Sequence, residues 1–350
     1  MLMLTEQQSL VVRYIQAIGI IFVVIGHYPI KPVDVLHPYL FHMPLFFFLG
    51  GVIYKKRKFL DSVNSIFKKH ILYIVYTYII IGLMSIILLS EINPLSTKNI
   101  FQSGFFETIS FTLKNNFHNN SFFLVAWFLF SYSIVSLVCN VLIKTIKREV
   151  FIIPFALLLG YVAVDYISLF YKDSKEQYLN VITQVMYGGM FYLLGYSLRN
   201  LLYKLNSIYI PFIIICILFT EKNMSMLYGM IMSWSSYHKG FFNHTLNAFL
   251  CIILIFSIAN IIATKKYKLL IAIGNSSKSI MSYHLISFIL LDLIFYYFGY
   301  IQAGKISGLS HYSTKEFWYL YIIIGLSIPM ILDYSYRKIK IKLINRHIIN

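Results

Sequence analysis

The chain holds 350 residues, 59% of them hydrophobic and only 12% charged, with a mean hydropathy of +0.72. No soluble core of this length hides so much apolar side chain, so composition excludes a soluble globular protein and specifies an all-α, polytopic transmembrane helical bundle. Transmembrane strands are excluded too, because the apolar runs are of helix length and do not alternate. The net charge of +17 follows from membrane topology and attraction to anionic inner-leaflet lipid. Membrane lipids are therefore expected partners and nucleic acid is not, while a cytosolic polyanion such as coenzyme A fits the balance.

In chain order, the first apolar segment, near 10–30, carries Arg13 and His27. At about 1.5 Å of rise per residue the two lie roughly 21 Å apart, so Arg13 belongs at one membrane face and His27 close to the other. Ionisable groups in hydrocarbon are costly and mark chemistry, a transported ion or a packed polar contact. Further helices are expected near 38–54, 70–90, 121–143, 150–170, 181–199, 207–221, 241–263, 279–300 and 316–336. Met224 to Tyr237 reads either as a re-entrant segment or as an eleventh crossing. With ten helices and both termini cytoplasmic, 21 of the 30 Lys and Arg residues fall inside, as cytoplasmic loops require. An odd crossing between 222 and 240 would turn the Lys265 cluster and the basic tail outward, so ten is retained.

Residues 1–350 read as a single membrane-embedded domain without a soluble appendage. His27 interrupts what would be the apolar region of a signal peptide, so the first helix is expected to stay in the mature protein. Cys139, Cys216 and Cys251 are isolated, with no ligand spacing, and neither a disulfide framework nor a metal site is expected. Two long outside loops remain, Glu91 to Asn120 and Tyr300 to Lys315. In the first, Phe101, Phe105, Phe106, Phe111 and Phe117 suggest a fold-back onto membrane or bundle, and a substrate-covering role is one reading of it.

The second helix opens FHMPLFFFLGG at residues 41–51. Pro44 suits a first helical turn, where amides are unpaired, and Gly50 and Gly51 permit close helix approach. Arg13, His27 and this run, followed by Trp127-Phe128-Leu129 and by IGNSSKSIMSYH at residues 273–284, resemble the acyltransferase family 3 integral membrane proteins across nearly the whole chain. The sequence departs from the family pattern in showing Lys68-Lys69-His70 where many members have paired arginines, and Met281 where a tyrosine is common. Lysine offers phosphate a point charge but not the bidentate fork of arginine.

The resemblance implies an O-acetyltransferase of the bacterial plasma membrane that carries acetyl from acetyl-CoA to a hydroxyl of a surface polysaccharide or its lipid-linked precursor. It puts the catalytic roles on His27 and Arg13; no cofactor is bound permanently. Acyl transfer to a hydroxyl needs a base, and His27 suits that task or the formation of an acetyl-histidine. Donor binding is expected from Arg13, Lys68, Lys69 and His284, acceptor binding from His42, Asp165 and Trp127. Each has a plainer reading: helix packing for His27 and His284, a snorkelling anchor for Arg13, a local cap for His42, helix pairing for Asp165, an interface belt for Trp127. Asp292 has a weaker case, since no motif points to it. The competing class is a transporter or flippase for a glycan or small solute; a bundle that binds without catalysing is a third.

Overall fold

Thr5 starts the first helix with a capping box: its hydroxyl accepts from the Gln8 amide at 3.1 Å, and Gln8 Oε1 accepts from the Thr5 amide at 3.0 Å. The computed structural model describes residues 4–28, 35–91, 101, 104–146, 148–301, 311 and 317–349, without the side chains of 89–91, 105 and 342–349. Lys147, parts of the first long loop and most of the second lie outside the described residues, as do the side chains of Phe105, Lys342 and Arg346.

The helices are α1 Glu6–His27, α2 His42–Val52, α3 Phe59–Ile66, α4 Leu72–Glu91, α5 Phe105–Lys114, α6 Ala126–Thr145, α7 Ile152–Val162, α8 Ser168–Ser174, α9 Gln177–Leu202, α10 Tyr209–Asn223, α11 Gly240–Ile262, α12 Lys268–Asn275, α13 Ser277–Tyr297 and α14 Trp318–Ile349. Among the described residues there is no strand, only an isolated bridge between Ile231 and Ser236. Every expected apolar segment has its helix, and seven helical stretches are long and apolar enough to cross a membrane. The chain is an all-α polytopic bundle.

α1 lies at its centre, with Tyr14, Ile15, Ala17, Ile20 and Val24 fully buried, and packs on α2, α11, α12 and α13. Two crossings depend on glycine. A Cβ at Gly274 of α12 would meet the Arg13 carbonyl oxygen, and a Cβ at Gly195 of α9 would meet the Phe48 carbonyl of α2. Backbones this close leave no room for a side chain, which is how small residues bring membrane helices together.

α7 and α8 form one run through a π-turn at Ala163–Ile167, and that turn holds Asp165. Asp165 Oδ1 accepts from the Phe241 amide at 2.9 Å, capping the start of α11. α5 is amphipathic in the inverse sense of a soluble surface helix: Phe106 is 83% exposed and Thr112 only 5%. Its apolar face suits lipid, while Thr112 shares a hydrogen bond with the Tyr78 hydroxyl of α4 at 2.8 Å.

The segment from Met224 to Tyr237 adds no helical crossing. It joins the ends of α10 and α11 through a short turn at Met232–Trp234. Asn180 and Gln184 of α9 both donate to the Ser233 carbonyl at 2.9 Å, the Ser235 hydroxyl donates to Asn180 Oδ1 at 2.7 Å, and the Met230 amide donates to the Tyr39 carbonyl at 2.9 Å. Gln184 Oε1 also accepts from Asn116 at 3.1 Å, so this segment and the first long loop are tied to one helix. His118 completes the tie by stacking on Trp234, ring centroids 3.9 Å apart.

Gly195→Leu is expected to overpack the crossing, which costs about 1–3 kcal/mol or more, and to lower the thermal midpoint in detergent. Gly104→Ala, where a Cβ meets nothing within 4 Å, is the control expected to leave that midpoint unchanged. Burial pushes the His118 imidazole down from its ordinary 6.5 to about 4. The undocked imidazole thus takes a proton first, so docking of the Trp234 segment is full above pH 6.5 and weakens as pH falls towards 4. Proteolytic nicking between Met224 and Lys239 should rise from pH 7.5 to pH 5 in the wild type, with a flatter response in His118→Gln.

Candidate active site

The C-terminal end of α1 delivers His27 to a small cavity at one end of the bundle. After the turn at Pro38–Leu40, His42 begins α2, and its Nδ1 donates to the Pro38 carbonyl at 2.6 Å. Trp127 enters from the first turn of α6, and Met230, Met232 and Ser233 of the α10–α11 connection close the space. The cavity has a volume of about 40 Å³ and brings together His27, His42 and Trp127, with Tyr39 beside them.

His27 is half-buried, and its ring centroid lies 5.0 Å from that of His284. His284 is fully buried on α13, and its Nδ1 sits 2.9 Å from both the Ile280 and Met281 carbonyls. Carbonyls only accept, so Nδ1 carries the proton and Nε2 the lone pair. Nε2 has no hydrogen-bond partner among the described residues. His284, read from the sequence as lining the donor passage, therefore stands against His27 in the core.

The same face of α13 continues through Phe288 to Asp292, at four-residue steps. The Phe288 ring meets His284 edge-on at 5.8 Å and His311 edge-on at 5.1 Å. Asp292 Oδ2 lies 2.7 Å from His311 Nδ1, both side chains being fully buried, and Oδ1 accepts from the Tyr321 hydroxyl of α14. Tyr321 stacks at 4.7 Å on Tyr28, the residue after His27. Sequence reasoning gave Asp292 little weight and did not single out His311, because 19 positions and a polar loop separate them. The available signal was an acid in a membrane helix followed by a histidine in the next loop.

At the opposite end of α1 lies an open cavity of about 410 Å³. Val12, next to Arg13, lines it with Tyr54, Lys55, Arg57, Lys69, His70, Tyr132 and Tyr192. A neighbouring cavity of about 460 Å³ shares Tyr54 and Lys55 and adds Lys56, Lys144, Tyr196 and Arg199. Lys69 thus faces a cavity while Lys68, also exposed, does not line either one. Arg13 is exposed on the surface of α1, near the crossing with α12 that its own carbonyl makes. Lys55, Arg57, Lys144 and Arg199, which the sequence presented only as topological charges, add to the basic lining. Asp165 stands apart from these residues, committed to the first turn of α11.

What the arrangement offers is one helix with imidazoles at one end and a basic, aromatic-lined cavity at the other. Residues 11–332, a span that takes in Arg13, His27 and Tyr321, match the family Acyl_transf_3, described as an acyltransferase domain. Neither the curated proteins nor the solved structures contain a match. On the family match and its membrane-spanning helices, the chain belongs to acyltransferase family 3 and is a multi-pass membrane acyltransferase.

Proposed function

We propose that the protein transfers acetyl from cytosolic acetyl-CoA through the membrane to a hydroxyl of a surface glycan or its lipid-linked precursor, in the inner membrane of a bacterium. The observation that carries the reading is the pair of cavities flanking α1, basic beside its N-terminal half and imidazole-lined at its C-terminal end. Lys55, Arg57 and Lys69 suit the phosphates of coenzyme A, and Tyr54, Tyr132 and Tyr192 suit its adenine and pantetheine arm. Roughly 21 Å of helix, at about 1.5 Å per residue, is a span that the thin pantetheine arm and the bundle share between them.

At the other end, the cavity of about 40 Å³ beside His27 suits a small acyl group such as acetyl. Trp127 and Tyr39 give a sugar ring aromatic faces to lie on, and His42, with Nδ1 committed to the Pro38 carbonyl, is held in one orientation beside it. His27 supplies the reacting imidazole, and Arg13 contributes positive charge on the donor side. The lysines at 68 and 69 act as point charges towards phosphate, and of the two Lys69 has the better position.

Acetyl content of the host's surface polysaccharide, read by NMR, tests this directly. Acetyl signals are expected with the wild-type gene and neither with His27→Ala nor with the deletion. Unchanged acetylation in all three, with glycan export lost in the deletion, would instead identify a transporter. On the donor side, losing one charged hydrogen bond to phosphate costs about 1.5 kcal/mol, so Lys69→Ala or Arg57→Ala should raise the KM for acetyl-CoA about tenfold. Their kcat is expected to stay near the wild-type value, measured as thiol release in membranes.

A further inference from the structure

One buried carboxylate–imidazole pair is left over by an acyl transfer that uses His27 alone. Asp292 and His311 are fully buried, 2.7 Å apart, and the Tyr321 hydroxyl fixes the second carboxylate oxygen. Removing a carboxylate and an imidazole from water is costly, and an apolar pair would fill the space at no such cost. The arrangement also defines the tautomer. Facing a carboxylate, Nδ1 carries the proton, which leaves the lone pair on Nε2. That nitrogen is buried and has no hydrogen-bond partner among the described residues. An imidazole oriented by a buried acid, with its other nitrogen ready to accept a proton, is the working half of a catalytic triad.

The dyad also lies on the right side. From Gly274 of α12, which packs on Arg13 at the donor end, the chain passes into α13 and reaches His284 beside His27, and Asp292 is about two turns further towards the acceptor side. A single aromatic ring, Phe288, touches both the His284 and the His311 imidazoles. Resting on the acyltransferase reading above, we propose that Asp292–His311 is the base for the acceptor hydroxyl, acting after His27 has taken the acyl group. Two imidazole centres then have two tasks. An acylated His27 has no lone pair left for the acceptor's proton, and His311 Nε2 supplies one.

The steps balance as follows. A ring nitrogen of neutral His27 bonds to the thioester carbon, the C–S bond breaks, and coenzyme A leaves as its thiolate, giving an acylimidazolium that keeps its N–H. The acceptor oxygen then bonds to the acyl carbon while its proton passes to His311 Nε2. The C–N bond breaks and His27 returns to its neutral form. His311 gives its proton to water on the acceptor side, and the thiolate takes one from water on the donor side. Asp292 touches no substrate in this scheme; it positions His311 and stabilises the imidazolium.

Hydroxylamine separates this role from a structural one, because its neutral amine attacks an acyl group without a base. Membranes from the native host, which hold the acceptor, are given acetyl-labelled acetyl-CoA with or without hydroxylamine, and His27→Ala membranes supply the background. His311→Gln is expected to lower transfer to glycan by about 10²-fold or more while hydroxamate formation stays at the wild-type rate. Asp292→Asn and Tyr321→Phe, which keep side-chain volume and the Tyr28 stack, should show the same selective loss by smaller factors. Parallel loss of both products, or no loss of either in any variant, would overturn the dyad while leaving the acyltransferase reading in place. A wild type that forms neither product would overturn that reading, and the dyad with it.

Discussion

The close crossing of α1 with its neighbours is the constraint on which the rest of the structure depends. At one end Gly274 lets α12 rest against the Arg13 carbonyl, and at the other the Pro38 ring would sit 3.1 Å from a Cβ at Gly26. Between these points α1 is buried on nearly every side, so Arg13 and His27 cannot be moved independently. A straight helix turns the separation of Arg13 and His27 in the sequence into a fixed distance across the bundle. α13, climbing beside it, then brings His284 to His27 and sets Asp292 beyond.

Polar satisfaction does the remaining positioning. In an apolar bundle an unpaired amide or carboxylate is costly, so each buried polar side chain is drawn to a partner and fixes the elements that carry it. Gln184 and Asn180 hold the α10–α11 connection over the His27 cavity, Asp165 sets the start of α11, and the Asn260 side-chain amide of α11 donates to the Leu202 carbonyl that ends α9 at 2.7 Å. Asp292 does the same between α13, α14 and His311. The family match accounts for an acyltransferase in this frame; these contacts explain why its imidazoles converge at one end.

Much of the frame was legible from residue order alone. Long apolar runs marked the helices, and the Arg13 to His27 spacing placed two groups at opposite ends of one of them. What escaped depended on contacts between distant positions. Asp165 read as an acceptor-binding or helix-pairing residue, and the π-turn that carries it sets its carboxylate against the Phe241 amide. α5 was hidden because Phe106 and Phe111 face outward and Thr108 and Thr112 inward, the reverse of the usual soluble pattern. The role of residues 224–237 was ambiguous for a related reason: their docking rests on Asn and Gln side chains of α9, which carry no local signal. Asp292 and His311 became a pair only when α13 and the chain before α14 were seen together.

The central claim, that donor and acceptor meet from opposite faces, is tested most directly with sealed vesicles of known orientation, since acetyl-CoA does not cross a bilayer. Label supplied outside inside-out vesicles should reach the acceptor, and label supplied outside right-side-out vesicles should not until they are permeabilised. Equal labelling of intact right-side-out vesicles would contradict the account, because the basic cavity beside Arg13 and Lys69 would then not be the entry for the donor.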